Sequence, residues 1–297
     1  MRLGQTEKRL SINLKLDVCL RRRFLSQRRT QRRIEDSLLE HESPTEKKTA
    51  LKQHEIIQQF LLTNAPNYIP QRDEERIFQA AFKSRIPLIV KGPTGCGKTR
   101  FIEAMAYQLK LPLMTVSCHE DLTAGDLLGR YLWKDDETVW QDGPLTLAVR
   151  YGGICYLDEI VEARKDTIVI IHSLTDDRRI LYIDKTGEVI RAHVDFMMVL
   201  SYNPGYQSLV KDLKQSTKQR FASFVFSHPP LEIESEIIQS ESGLSENDSR
   251  KLAEMGRNIR ELKGFGLDEG VSTRMSDVSS RRDSAHSMPA AVRSVTL

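Results

Sequence analysis

The sequence predicts an α/β fold, a three-layer αβα sandwich around a mainly parallel sheet, followed by a small helical C-terminal lid. Three observations predict it. Short apolar runs recur between about residues 86 and 201, separated by stretches with helical periodicity. That is the pattern of strands covered on both faces by crossover helices. One of these runs leads through a glycine-rich loop directly into a helical segment, and another ends in two adjacent acids. Pro229-Pro230 then closes the region, and two helix-patterned segments follow it.

Taken in order, residues 1–66 form a basic extension and linker. Its first 33 residues carry eleven Lys or Arg against Glu7 and Asp17, a charge block that reads as a solvated arm. Arg21-Arg22-Arg23-Phe24-Leu25-Ser26 has the look of a twin-arginine export signal. The apolar stretch such a signal needs is replaced by Gln27 to Arg33, so export is not expected. Leu51 to Leu62 is helix-friendly and ends at Pro66 and Pro70. The core is expected over 67–228. A helix over Asp73 to Lys83 turns Ile77, Ala80, Ala81 and Phe82 to one side, and strands follow at Ile86 to Val90, Leu113 to Val116, Gly153 to Leu157 and Phe196 to Ser201. Lys98 to Leu109 reads as a helix, and so do Leu231 to Gln239 and Asp248 to Leu262 in a partial lid over 229–274. Residues 275–297, rich in Ser, Arg and Asp, show no apolar periodicity and read as a disordered or aberrant tail.

Composition excludes several classes. Charged residues make up 29% and hydrophobic ones 39% of 297, so a wholly disordered chain is not expected. No apolar run approaches the ~18–20 residues that span a bilayer. The net charge of +3 is too near balance to mark a nucleic-acid binder by itself. None of Cys19, Cys96, Cys118 and Cys155 forms a C-x-x-C pair. Neither a disulfide framework nor a zinc site is therefore expected, and a reducing cytoplasm is.

Gly92-Pro93-Thr94-Gly95-Cys96-Gly97-Lys98-Thr99 matches G-x-x-x-x-G-K-[ST] between a strand and a helix. Its glycines let the backbone N–H groups curl inward onto phosphate oxygens, and the helix N-terminus adds positive potential. Lys98 is placed to reach the β and γ phosphates, and the Thr99 hydroxyl to ligate Mg²⁺. Asp158 ends an apolar strand and is expected to hold the Mg²⁺ through water, with Glu159 orienting or deprotonating the attacking water. Asn203, at the end of Val199-Leu200-Ser201-Tyr202, is the candidate sensor, touching the γ-phosphate or its attacking water. Arg220 is the candidate cation for a neighbouring subunit's nucleotide, and Arg274 for the γ-phosphate from the lid side. His119, His172 and His193 lack ligand spacing and read as surface or packing residues.

With these motifs in this order, the chain resembles the AAA+ ATPases, within them the MoxR branch, and most closely the CbbQ/NirQ/NorQ family. The likeness runs from about Phe78 to Arg274. It is carried by Lys91 to Phe101, Trp140 to Thr146, Tyr156-Leu157-Asp158-Glu159 with Glu162-Ala163-Arg164, Ser201 to Gln207, and Lys218-Gln219-Arg220-Phe221. The resemblance implies ATP and Mg²⁺ as cofactors and a homo-oligomer, a six-membered ring with ATP between subunits. Lys98, Thr99, Asp158, Glu159 and Asn203 would act in one subunit and Arg220 across the interface. Gly129 to Gly143 would be an insert, and Arg179 to His193 a hairpin turning at Lys185-Thr186-Gly187, both facing the pore or the client. Its implied partners are a von Willebrand factor A domain protein, CbbO-like or NorD-like, and a client enzyme. The client would be Rubisco by the CbbQ-like features of 211–221 and 262–270, or nitric oxide reductase by the NorQ-like alternative. Two departures stand out: the extension over residues 1–50, and a tail after Arg274 without apolar lid helices, expected to reflect a truncated or frameshifted lid. Two rival classes are a non-hydrolysing ATP-binding scaffold, which Glu159 argues against, and a nucleic-acid-associated ATPase, which the basic arm alone supports.

Overall fold

The computed structural model describes residues 56–134, 136–203 and 219–261. The basic arm, the segment from Pro204 to Lys218 and Arg274 lie outside them. Every described residue after Ile56 belongs to one compact unit. Its core elements are helix α1 (Glu74–Lys83), strand β1 (Leu88–Lys91), helix α2 (Lys98–Leu109), strand β2 (Leu113–Ser117), helix α3 (Ala124–Leu128) and a hairpin of β3 (Gly129–Lys134) and β4 (Glu137–Asp142). Helix α4 (Pro144–Tyr151) and strand β5 (Gly153–Asp158) come next. They are followed by helix α5 (Lys165–Ile170), a second hairpin of β6 (Ile180–Ile183) and β7 (Glu188–Arg191), and strands β8 (Phe196–Tyr202) and β9 (Ala222–Val225). The lid contributes α6 (Leu231–Ser242) and α7 (Glu246–Glu261).

Five parallel strands form the sheet in the order β2-β5-β8-β1-β9. All seven residues of β8 and the first five of β5 are buried, as strands covered by helices on both faces must be. The order places β8 between the strand that feeds the glycine-rich loop and the strand that ends in the acids. At about 4.8 Å per strand, the loop and the acids are then about 10 Å apart across the sheet. Parallel strands all end at the same edge, so the loop after β1, Asp158 at the end of β5 and Asn203 after β8 converge there. In this sheet, β9 is the strand that sequence patterning did not find; outside it, the β3–β4 hairpin was not read as strands either.

Helix α2 carries the loop, and Phe101 anchors it. This fully buried ring packs against Tyr68, Phe78, Phe224 and Phe226 with centroids 5.3–5.7 Å apart, each such pair adding about 0.5–1.5 kcal/mol beyond its buried area. The lid is tied to the same region: Asn67 Nδ2 donates to Ser240 Oγ (2.6 Å), and Arg100 on α2 lies 3.6 Å from Glu241 on α6. Within the lid, Arg260 makes a two-pronged ion pair with Glu234 (2.9 and 2.5 Å), whose side chain is 1% exposed.

Gly92 is fixed by a close approach: a Cβ there would stand 2.6 Å from the Phe226 carbonyl oxygen and 2.9 Å from the Phe226 Cβ. Gly92→Ala is therefore expected to push β9 away from the loop and destabilise the fold by about 1–3 kcal/mol. A melting temperature lowered by several degrees in the nucleotide-free protein checks this.

Both hairpins are held by arginines. Arg150 on α4 donates two hydrogen bonds to Glu188 (2.6 and 2.8 Å) and one to Asp142 (3.0 Å), joining β4 and β7. Arg179 donates to the backbone oxygens of Arg85 (3.0 Å) and Phe196 (2.8 Å). The second hairpin pairs Ile180 with Arg191 and Tyr182 with Val189, and Gly187 takes a φ of 68° in its turn, the arrangement its alternation predicts. The hairpins meet where the Tyr131 hydroxyl donates to the Lys185 oxygen (3.2 Å). They leave Trp133 (73% exposed), Val189 and Tyr182 facing outward.

Candidate active site

The glycine-rich loop leaves β1 and closes on the N-terminus of α2. Gly95 and Gly97 take φ of 75° and 94°, which L side chains adopt only at a cost. Turns of this kind let successive backbone N–H groups face one phosphate. Lys98, buried, folds back so that its Nζ donates to the Gly92 and Pro93 oxygens (both 2.8 Å). Cys96 packs beneath the loop, and burial pushes its thiol pKa up, so it fills space rather than acting as a nucleophile. Cys118, beside the acids, is pushed up to about 12 by burial and by the charges of Asp158 and Glu159.

On the acidic side, Asp158 is half-buried and Glu159 exposed. Glu159 adopts a φ of 54°, a left-handed conformation costing about 1–2 kcal/mol for a non-glycine residue. It is held there because its N–H donates to Ser201 Oγ (3.2 Å) and its carbonyl accepts from Glu162 N (2.9 Å). The Ser201 hydroxyl in turn donates to Asp158 Oδ1. Tyr156 donates to the same oxygen (2.8 Å) and lies 3.4 Å from Thr99 Oγ1. Burial, then the neighbouring Asp158 charge, raises the Tyr156 pKa and keeps the phenol protonated.

Asn203 closes the gap between the two halves: its Nδ2 donates to Thr94 Oγ1 in the loop (3.0 Å). The structure thus brings Gly92 to Thr99, Asp158, Glu159 and Asn203 to one edge of the sheet. It places Arg220 elsewhere. Ala222 pairs with Leu88 at the start of β1, so Arg220 sits at the amino end of the sheet, opposite the chain's own loop. There it is exposed, its Nη1 donating to the His172 oxygen (2.8 Å). Sequence reasoning missed Tyr156 as a site residue and passed over Ser201. The signal for Ser201 was its place near the end of the strand, two residues before Asn203. His193, expected as a surface or packing residue, is half-buried, its Nδ1 accepting from Asp195 N (3.1 Å).

The donor set fits magnesium. Among the described residues no cluster of three His, Cys, Asp or Glu side chains is placed to hold a metal by itself. For a metal the edge offers the Asp158 carboxylate and the Thr99 hydroxyl, both hard oxygen donors. Mg²⁺ is commonly held by that kind of minimal protein set plus substrate phosphates and water.

Sheet order, phosphate loop and adjacent acids define a P-loop ATPase of the AAA class. The sequence matches the AAA domain (dynein-related subfamily) over residues 87–221 and the CbbQ/NirQ/NorQ C-terminal domain over residues 234–276. It is 58% identical to protein CbbQ of Hydrogenophilus thermoluteolus, covering 73% of this chain and 81% of that one. It is also 58% identical to protein NorQ of Paracoccus denitrificans, covering 71% and 78%. The denitrification regulatory protein NirQ of Stutzerimonas stutzeri is 51% identical, covering 71% and 77%. The chain belongs to the CbbQ/NirQ/NorQ family of AAA ATPases. In fold it is similar to a Thermotoga maritima RuvB mutant, with a TM-score of 0.51 at 17% identity, covering 76% of this chain and 66% of that one. No helix among the described residues is long and apolar enough to cross a membrane.

Proposed function

We propose that this chain hydrolyses ATP with Mg²⁺ in a cytoplasmic ring of identical copies and uses the cycle to remodel a client enzyme. One observation carries the hydrolytic part: Glu159 stands exposed in a constrained left-handed conformation next to Asp158, one strand away from the Asn203–Thr94 contact. The loop N–H groups and Lys98 would bind the phosphates, and Thr99 directly and Asp158 through water would hold the Mg²⁺. When bound, the ion neutralises charge on the phosphate oxygens. Glu159 takes a proton from the attacking water, and Asn203 positions that water against the γ-phosphate.

Arg220 supports the ring. At the opposite end of β9 from its own loop, it serves a neighbour's nucleotide instead. Arg220→Ala is expected to lower turnover about 10²-fold. Mixed with Glu159→Gln subunits it should regain activity, since such rings contain interfaces pairing an intact Glu159 with an intact Arg220. A mixture as inactive as its components rules out action between subunits.

The two hairpins, locked to each other and to α4 through Arg150, are the surfaces that pass motion to the client, together with a partner bearing a von Willebrand factor A domain. Rubisco is the first reading of the client. Nitric oxide reductase is the second, supported by the equal identity to CbbQ and NorQ relatives. Assays of each enzyme's activation by the ATPase with its partner protein distinguish them.

A further inference from the structure

We infer that Tyr156 is a positioning residue: its hydroxyl ties Thr99 to Asp158 and presets both for a divalent cation. This rests on the reading of the site as one for ATP and Mg²⁺. Tyr156 and Asp158 are two residues apart on β5 and so share a face. Leu157 pairs with Leu200 across the β5–β8 ladder, which sets Ser201 beside Asp158. Both hydroxyls reach the carboxylate for that reason.

Counting hydrogens settles the directions. A hydroxyl has one proton to give. Tyr156 gives its proton to Asp158 Oδ1, and so does Ser201. The Thr99–Tyr156 contact (3.4 Å) must then run with Thr99 as donor. With its proton engaged there, Thr99 Oγ1 would keep its lone pairs for a metal. The arrangement also loads both donors onto Oδ1, so that Oδ2 would remain to accept from water on a bound cation. Neutral hydroxyls do this without adding a charge that would repel the ion. Sequence motifs do not show it, because a leucine or phenylalanine at position 156 would fill the strand equally well. The competing explanation is that Tyr156 only fills the core and satisfies its own hydroxyl, in which case its loss leaves cation binding untouched.

The test uses the full chain and calorimetric ATP binding, measured in excess chelator and then across a Mg²⁺ series. Tyr156→Phe keeps the ring and removes the tether. We expect its ATP affinity in chelator to stay within about twofold of wild type, and the Mg²⁺ concentration at half-effect to rise about tenfold, as for other losses of an outer partner of a metal ligand. Ser201→Ala removes the other donor to the same oxygen and gives a shift in the same direction, which keeps the test open should the phenylalanine variant fold poorly. Unchanged Mg²⁺ dependence in both variants overturns the inference, as does an equal fall of affinity with and without Mg²⁺. Wild-type protein whose ATP binding gains nothing from Mg²⁺ overturns instead the reading of the site on which the inference stands.

Discussion

Replacing Glu159 with Gln is expected to lower ATP turnover about 10²- to 10⁴-fold while leaving nucleotide binding intact. The range is what a positioned general base contributes. The substitution suits the local geometry. The left-handed backbone at Glu159 is held by hydrogen bonds of its own N–H and C=O, to Ser201 and from Glu162, and neither involves the side chain. Gln has the same length and keeps a hydrogen-bonding tip, so the attacking water can still be held but not deprotonated. Asp158 is fixed by Tyr156 and Ser201, so the cation site should survive. Phosphate release and ATP affinity measured on the same preparation decide the matter. Normal release removes Glu159 from the role, and loss of both properties points to a folding defect instead.

Much of this site was legible because its chemistry is contiguous in sequence. The loop from Gly92 to Thr99 and the pair Asp158-Glu159 each lie within a few residues, and the helix predicted over Lys98 to Leu109 is observed with those bounds. The second hairpin was legible for a similar local reason, since alternation and a glycine in the turn fix its pairing. The remainder depends on register. Ser201 acts on Asp158 across 43 positions, and only the pairing of Leu157 with Leu200 puts them together. A serine in an apolar strand gives no sign of that on its own. Strand β9 escaped because Ala222-Ser223-Phe224-Val225 is short and its burial alternates at the sheet's edge. A role for Arg220 at another subunit's nucleotide was expected from its place in Lys218-Gln219-Arg220-Phe221 and from the resemblance. The pairing of Ala222 with Leu88 supplies a geometric reason, by putting it at the wrong end of the sheet for its own loop.

Lys98→Ala is expected to reduce ATP affinity by about 30- to 5000-fold, the equivalent of about 2–5 kcal/mol for truncating one member of a buried, hydrogen-bonded charge pair. Lys98 is 9% exposed, and its ammonium sits within the arc of the loop, on the Gly92 and Pro93 oxygens. That location has two consequences. Phosphates entering the concavity meet a cation already desolvated and held within reach, so little ordering remains to be done on binding. Without the ammonium, the two carbonyls would turn their negative ends on the incoming phosphates with nothing between them. The loss should therefore exceed that of an exposed lysine, for which screening leaves about 1 kcal/mol or less. It should also depend weakly on salt, because an interaction shielded from solvent is screened less. Calorimetry at low and high ionic strength tests both points. A loss of only a few-fold, or one that vanishes in salt, would show that Lys98 does not face the phosphates from inside the loop.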